Sequence, residues 1–349
     1  MTTQKFGYLA SAKHAEVGTR QLPDLKPDEV LIHQLTCNIC TTDYQHWMGL
    51  REHQGYPMAG GHEGSGVVEA VGSAVTTIKV GDHVGINNYV GCGLCPACRE
   101  GRNTDCENKP EGRTRSEDGY LGSFGFATYA IMPEKKLVVM NPELDPAEAG
   151  YLEPVATVCK GMEKLRIQPQ EVVVVIGAGT MGLVNAQVAR AHAARVIVSE
   201  IMPKKLETAK AMGFEVIDCN KVDPVEEAKR LTDGKGVDCV IVAVGATKAN
   251  EQAVGMLKKN DGRVLLFAAG YPVPDLPFDS NLIHYRRIEL IGTFGADAQN
   301  FAQAAKLLNT RAIDVSKIVE PKRYKLDDFQ AAMEAASTPG MYRVCVEME

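Results

Sequence analysis

Short apolar and polar alternations, broken repeatedly by glycine, fill the first 150 or so residues of the chain. Runs such as Glu29–Leu35, Gly66–Val71 and Leu137–Met140 predict short strands of an all-β-rich domain, and a Gly-Asp turn stands directly before the strand in GDHVGINNYVG. The pattern changes near Glu153. From Glu171 onward, apolar runs alternate with helical stretches. EVVVVIGAG leads into a helix reaching Ala194, RVIVSE precedes a helix from Pro203 to Met212, and VDCVIVAVG, GRVLLFAAG and LIGTFG follow. β-branched runs separated by helices are expected to be parallel strands buried on both faces, hence a doubly wound α/β sheet. The domains read as 1–152, 153–292 and a segment 293–349 that returns to the first.

Length and composition narrow the class. A chain of 349 residues fits two domains, and its 45% hydrophobic and 23% charged content is that of a globular protein. A formal net charge of -6 argues against nucleic acid as a partner. The N-terminal stretch has no apolar h-region, and the most apolar run, Val172 to Ile176, is too short to span a bilayer. No membrane association and a cytoplasmic location are therefore expected. Four of the ten cysteines cluster and the rest scatter, which favours metal ligation over a disulfide framework.

The cluster is GCGLCPACREGRNTDC, in which Cys92, Cys95, Cys98 and Cys106 have the spacing C-x2-C-x2-C-x7-C. Bridges between thiols so close in sequence are strained, whereas four thiolates converge readily on one tetrahedral Zn2+. Such a site is closed and structural. An iron–sulfur cluster would need a different fourth spacing and a proline after the last cysteine, where Glu107 stands.

A second set is open. TCNICTTD carries Cys37 and Cys40, and GGHEGSGVVEAVG carries His62 and Glu63 among Gly60, Gly61, Gly64 and Gly66. One thiolate, one imidazole and one or two carboxylates leave a coordination position for water or an alcohol, the composition of a catalytic zinc. A buried structural histidine or cysteine is the plainer reading of either residue taken singly.

These segments resemble the medium-chain zinc alcohol and polyol dehydrogenases, in the sorbitol dehydrogenase-like and threonine dehydrogenase-like branch. GHEGSGVVEAVG fits the family's G-H-E-x2-G-x5-G signature from Gly61 to Gly72, and NICTTD resembles its G-I-C-G-T/S-D motif. The resemblance implies a GroES-like catalytic domain beside a Rossmann domain, with two zinc ions per chain. It makes Cys40, rather than Cys37, the zinc thiolate, with His62 as imidazole ligand and Asp43 orienting it. Glu153, in YLEPVAT, matches the glutamate that polyol and threonine dehydrogenases place near the metal, so that Glu63 and Glu153 exchange as ligands. Read from the residues alone, Glu153 beside Pro154 is also compatible with a carboxylate at a helix N-terminus. Two positions depart from the family: Thr41 replaces its glycine, and Gln45 replaces the histidine that relays the substrate proton. Thr42 keeps the first relay hydroxyl, leaving the cofactor ribose, water or His46 beyond it.

The cofactor site reads from context. GAGTMG, with Gly177, Gly179, Met181 and Gly182, follows the apolar run VVVVI and opens a helix, as a dinucleotide fingerprint requires. The next strand ends at Glu200, whose carboxylate suits the ribose hydroxyls of NAD and repels a 2′-phosphate; Lys205 nearby softens that preference. The resemblance adds nicotinamide contacts around Ala268–Gly270 and Gly292–Phe294.

The expected reaction is oxidation of a secondary alcohol to a ketone, with Thr42, Glu63 and Glu153 as the catalytic group. A polyol or sugar alcohol is the first expectation, since Glu153 and the region around Trp47 resemble sorbitol dehydrogenases. A threonine or butanediol substrate is the alternative. The Arg-Tyr pair of typical sorbitol dehydrogenases is Gly295-Ala296 here, and Tyr120–Phe124 is either a pocket-lining loop or a surface turn. A non-catalytic nucleotide-binding module is the rival from another class. The family also implies a homo-oligomer, dimer or tetramer, with the run Val264–Ala269 expected on the pairing edge. Cys37, Cys159, Cys219, Cys239 and Cys345 read as buried small hydrophobes.

Overall fold

The computed structural model of the chain describes residues 2–109 and 115–349. It divides into two compact units, Met1–Ala156 with Ala296–Glu349, and Thr157–Gly295.

The first unit is built on mostly antiparallel strands. Its larger sheet runs Val319–Lys325, Arg343–Glu347, Glu29–Asn38, Glu63–Val71, His83–Ile86, Leu137–Val139, with Tyr129–Pro133 also paired to Glu29–Asn38. Register carries the functional consequence. Asn38, at the end of its strand, lies opposite Glu63 on one side and Cys345 on the other. The chain leaving Asn38 therefore emerges beside the start of Glu63–Val71 and the middle of Arg343–Glu347, from distant parts of the sequence. A smaller sheet orders His14–Gln21, Thr3–Ser11, Met58–Ala59 and Leu121–Gly122. Leu9, Ile39, Trp47, Phe126, Phe329 and Val344 belong to one buried apolar cluster of this unit.

The second unit is a six-stranded parallel sheet in the order Glu215–Asp218, Arg195–Glu200, Val172–Ile176, Cys239–Val242, Arg263–Leu266, Glu289–Gly292. Val173, Val174 and Val175 are wholly buried, so the uninterrupted apolar run reflects a strand covered on both faces. Strand order reverses on either side of Val172–Ile176. A crevice opens beyond the carboxyl ends of strands at such a point. The following helix, Thr180–Ala191, stops three residues before the expected Ala194, because His192 caps it and Ala193 takes a positive φ of 62°.

The edge of this sheet differs from expectation. Arg263–Leu266 is hydrogen-bonded on both sides, and the outer strand is Glu289–Gly292. The run Val264–Ala269 is apolar because it begins in an interior strand, not because it waits for a partner. Edge strands instead tend to carry polar positions, and Glu289 and Leu290 are exposed here.

Candidate functional site

The helix Thr41–Trp47 begins where the strand Glu29–Asn38 ends, with Cys40 as its N-cap. Asp43 closes the first turn: its Oδ2 accepts from the Cys40 backbone N–H at 3.0 Å. Its other oxygen accepts from the Gly61 N–H at 3.3 Å and lies 3.7 Å from His62 Nδ1. Asp43 thus ties together the two backbone segments that carry Cys40 and His62, rather than hydrogen-bonding the imidazole directly. Gly61 has φ +89°, and a Cβ there would stand 2.8 Å from the Phe126 N atom, so only glycine permits this approach.

Cys40, His62 and Glu63 offer Sγ, imidazole N and carboxylate O atoms that all lie within 4.8 Å of one another. Glu63 is not free, however. Arg343 Nε and Nη2 donate to its two oxygens at 2.7 Å each, and Nη2 also reaches Cys40 Sγ at 3.6 Å. Both partners are almost fully buried. Neighbouring Glu153 opens the helix Leu152–Leu165 and is 7% exposed. Burial is the largest influence on its carboxyl and Glu63 adds to it, raising the group to about 7 against the opposing pull of His62. The Tyr89 hydroxyl hydrogen-bonds to it. Partial burial works against a charge on His62, but Asp43, Cys40 and Glu153 together hold the imidazole well above its usual range.

A cavity of about 350 Å³ opens on this group, lined by Thr42, His46, Met58, His62, Phe126 and Met333 among others. Gly122 and Ser123 also line it. Tyr120 and Phe124 turn away to pack on Phe6, each with ring centroids 5.0 Å from it. The segment Tyr120–Phe124 is therefore a wall of the cavity and not a surface turn. Trp47 lies in the apolar core instead. Gln45 Oε1 accepts from Arg51 Nε at 2.9 Å, which holds its amide in a local pair.

The four clustered cysteines converge as their spacing suggests, with all sulfurs within 4.8 Å. The backbone N–H groups of Cys95 and Leu94, together with Asn108, point at Cys92 Sγ and bring that thiol down to about 6. N–H groups aimed at a sulfur stabilise a thiolate, the form that binds metal. Four thiolates without room for a fifth ligand suit a structural zinc, and the mixed sulfur, nitrogen and oxygen set at Cys40 suits an open one.

In the second unit, a cavity of about 500 Å³ is lined by Gly177, Gly179, Glu200, Lys205, Cys219 and Val244 among others. Gly179 caps the helix Thr180–Ala191 and brings no side chain to its N-terminus, where an anion is favoured. Glu200 accepts from the N–H groups of Ala178, Ile201 and Met202 at 2.7, 2.7 and 2.9 Å. Met181 and Gly182 are outside the lining. Gly182 serves packing, since a Cβ on it would fall 1.8 Å from Gly177 O. Cys219 is only half-buried and faces this cavity, unlike the buried Cys37, Cys159, Cys239 and Cys345.

Arg343, Tyr89 and Asn88, whose side-chain amide donates to the His62 carbonyl at 2.7 Å, belong to no motif that points to the site. Each joins the site through pairing between distant segments. A polar residue in an apolar strand, as Arg343 is in RVCVE, was the available hint.

Residues 26–142 match the alcohol dehydrogenase GroES-like domain, and residues 180–310 match the zinc-binding dehydrogenase domain. Sorbitol dehydrogenase of Bacillus subtilis (strain 168) is 29% identical over 338 residues, covering 95% of this chain and 93% of its own. L-threonine 3-dehydrogenase of Pyrococcus horikoshii is 31% identical over 328 residues, covering 92% and 91%. Among solved structures, a zinc-binding dehydrogenase from Sinorhizobium meliloti 1021 bound to NADP superposes with a TM-score of 0.87 at 27% identity, covering all of both chains. The expected α/β fold, with a Rossmann sheet in one unit and a GroES-like architecture in the other, is the one observed. The two matched domains, the full-length likeness and the two convergent ligand sets agree: the chain belongs to the medium-chain zinc-binding dehydrogenase family.

Proposed function

We propose that the protein oxidises a secondary alcohol of a polyol or sugar alcohol to the ketone, with NAD as hydride acceptor. The observation that carries this is the convergence of Cys40, His62 and Glu63, with His62 reaching the wall of a cavity that Thr42 also lines. Cys40, His62 and Glu153 would hold the catalytic zinc, which would supply Lewis-acid activation of the alcohol hydroxyl. Glu63, paired with Arg343, would balance the charge of that group and stand as the second carboxylate available to the metal.

Thr42 receives the hydroxyl proton from its place in the cavity. Gln45 does not continue the path, being an amide held by Arg51, and His46, which lines the same cavity as Thr42, offers an imidazole in its place. The glycine turn and the uncapped helix N-terminus hold the cofactor's pyrophosphate, with Lys205 beside them. Its nicotinamide supplies the redox chemistry. Glu200, fixed by three backbone N–H groups, presents its carboxylate to the ribose hydroxyls and opposes a 2′-phosphate.

NAD and NADP reduction measured across a panel of polyols, threonine and 2,3-butanediol tests the whole reading. The expected result is polyol oxidation with kcat/KM for NAD about tenfold or more above that for NADP, a difference of about 1.4 kcal/mol. Turnover of threonine without any polyol would overturn the substrate class.

A further inference from the structure

Lys136 ends the helical turn Glu134–Lys136 and lines the substrate cavity. It also lines a neighbouring cavity of about 120 Å³, and the two share Gly61, His62, Asn88, Ser123 and Lys136. Among the described residues, no carboxylate pairs with its ammonium; the charge beside it is that of Lys135. Burial and that neighbour push the Lys136 amine down from its usual range. A half-buried cation without a counter-charge costs free energy unless something else supplies the anion.

The surrounding polar groups do not supply it. Asp43, the carboxylate in the lining of the larger cavity, is occupied by the N–H groups of Cys40 and Gly61. The Ser123 hydroxyl donates to Gly61 O at 2.7 Å, and the Asn88 amide to His62 O at 2.7 Å. Arg20, the other cation of the smaller cavity, lies 3.6 Å from Asp118 and 3.5 Å over the Phe124 ring. Lys136 is thus a cation of this wall that meets no counter-charge among the described residues.

We propose that Lys136 recognises an anionic group on the substrate, so that the alcohol taken by this site carries a phosphate or a carboxylate: a sugar-alcohol phosphate or an aldonate. This deepens the dehydrogenase reading and rests on it for the identity of the cavity. A hydrogen bond to a charged partner contributes about 1.5–3 kcal/mol, which corresponds to roughly tenfold to a hundredfold in affinity.

The test compares glucitol, glucitol 6-phosphate and gluconate on the zinc-loaded enzyme, by calorimetric binding and by kcat/KM at constant ionic strength. At least one anionic probe is expected to bind about tenfold or more tighter than glucitol. The better of the two anions identifies phosphate or carboxylate as the recognised group. In Lys136→Met the anionic-to-neutral ratio should fall at least about tenfold, and Lys136→Arg should retain most of it. Equal binding of the three probes by the wild-type enzyme overturns the proposal, as does a ratio that survives Lys136→Met. Oxidation of neutral polyols without anion selectivity sinks this proposal and leaves the dehydrogenase reading standing. Selective anion binding through Lys136 without oxidation of any alcohol does the reverse.

Discussion

A methyl group placed on Gly179 and one placed on Gly182 meet different surroundings, although both belong to one glycine turn. At Gly179 the nearest atom is Lys205 Nζ at 3.7 Å, and the backbone φ of -68° suits any residue. Gly179→Ala should therefore fold with unchanged thermal stability but raise KM for NAD about tenfold or more, because the methyl occupies the space the pyrophosphate approaches. Gly182→Ala drives a Cβ into the Gly177 carbonyl and should cost about 1–3 kcal/mol in denaturant unfolding. Equal stabilities of the two variants would contradict the packing role of Gly182. At the metal group, burial holds the Glu153 carboxyl up at about 7, and zinc binds its deprotonated form. Below that pH a proton must leave before metal enters, so zinc affinity rises with pH and gains little from this group above about 7. Chelator competition between pH 5.5 and 8 should show Glu153→Gln lowering the slope of log K below pH 7 by about one proton. An unchanged slope would remove Glu153 from the ligand set. Arg343→Met should cost about 3–5 kcal/mol, since it leaves Glu63 buried without its partner.

At the scale of the element, what matters is how each segment is ended. The helix Thr41–Trp47 has only seven residues, and its Cys40–Asp43 capping box places the thiolate at its N-terminus. Short helices depend on such caps because few internal hydrogen bonds hold them. The helix Ser280–Arg286 offers a neutral control, as Asp279 caps the Asn281 N–H at 2.9 Å and lies outside the described cavities. Asp279→Ala should cost about 1 kcal/mol in urea unfolding and leave kcat/KM unaltered. A change in cofactor affinity would show that this helix communicates with the nucleotide cavity. The outer strand Glu289–Gly292 follows the same logic of endings. Its free edge is where the parallel sheet stops, and the expectation of an edge at Val264–Ala269 mistook a doubly covered strand for an exposed one.

For the whole molecule, two metal groups of opposite design lie in one unit. The cysteine group is closed by four thiolates, whereas the Cys40 group opens on the cavity. Elemental analysis is expected to find two zinc ions per chain. Graded chelation should abolish activity before the circular dichroism changes, since an open site exchanges its metal sooner than a closed one. Loss of fold and activity in one step would show that the open site is structural as well. No helix among the described residues is long and apolar enough to cross a membrane.

Features set by neighbours in sequence were legible from the sequence itself. The cysteine spacing, the glycine turn after an apolar strand and the alternation of strands and helices each encode their geometry within about thirty residues, where local sterics and burial dominate. The pairing of Cys40 with His62 rested on a motif rather than on geometry, and the register at Asn38 is what brings the segments together. Everything that completes the site came from the tertiary structure. Arg343 reaches Glu63 across 280 positions, Tyr89 meets Glu153, and Lys136 enters the cavity wall from a turn that looks like ordinary surface. The reason is physical. A charge declares its role through what surrounds it, and burial, counter-charge and cavity shape exist only once distant strands have packed.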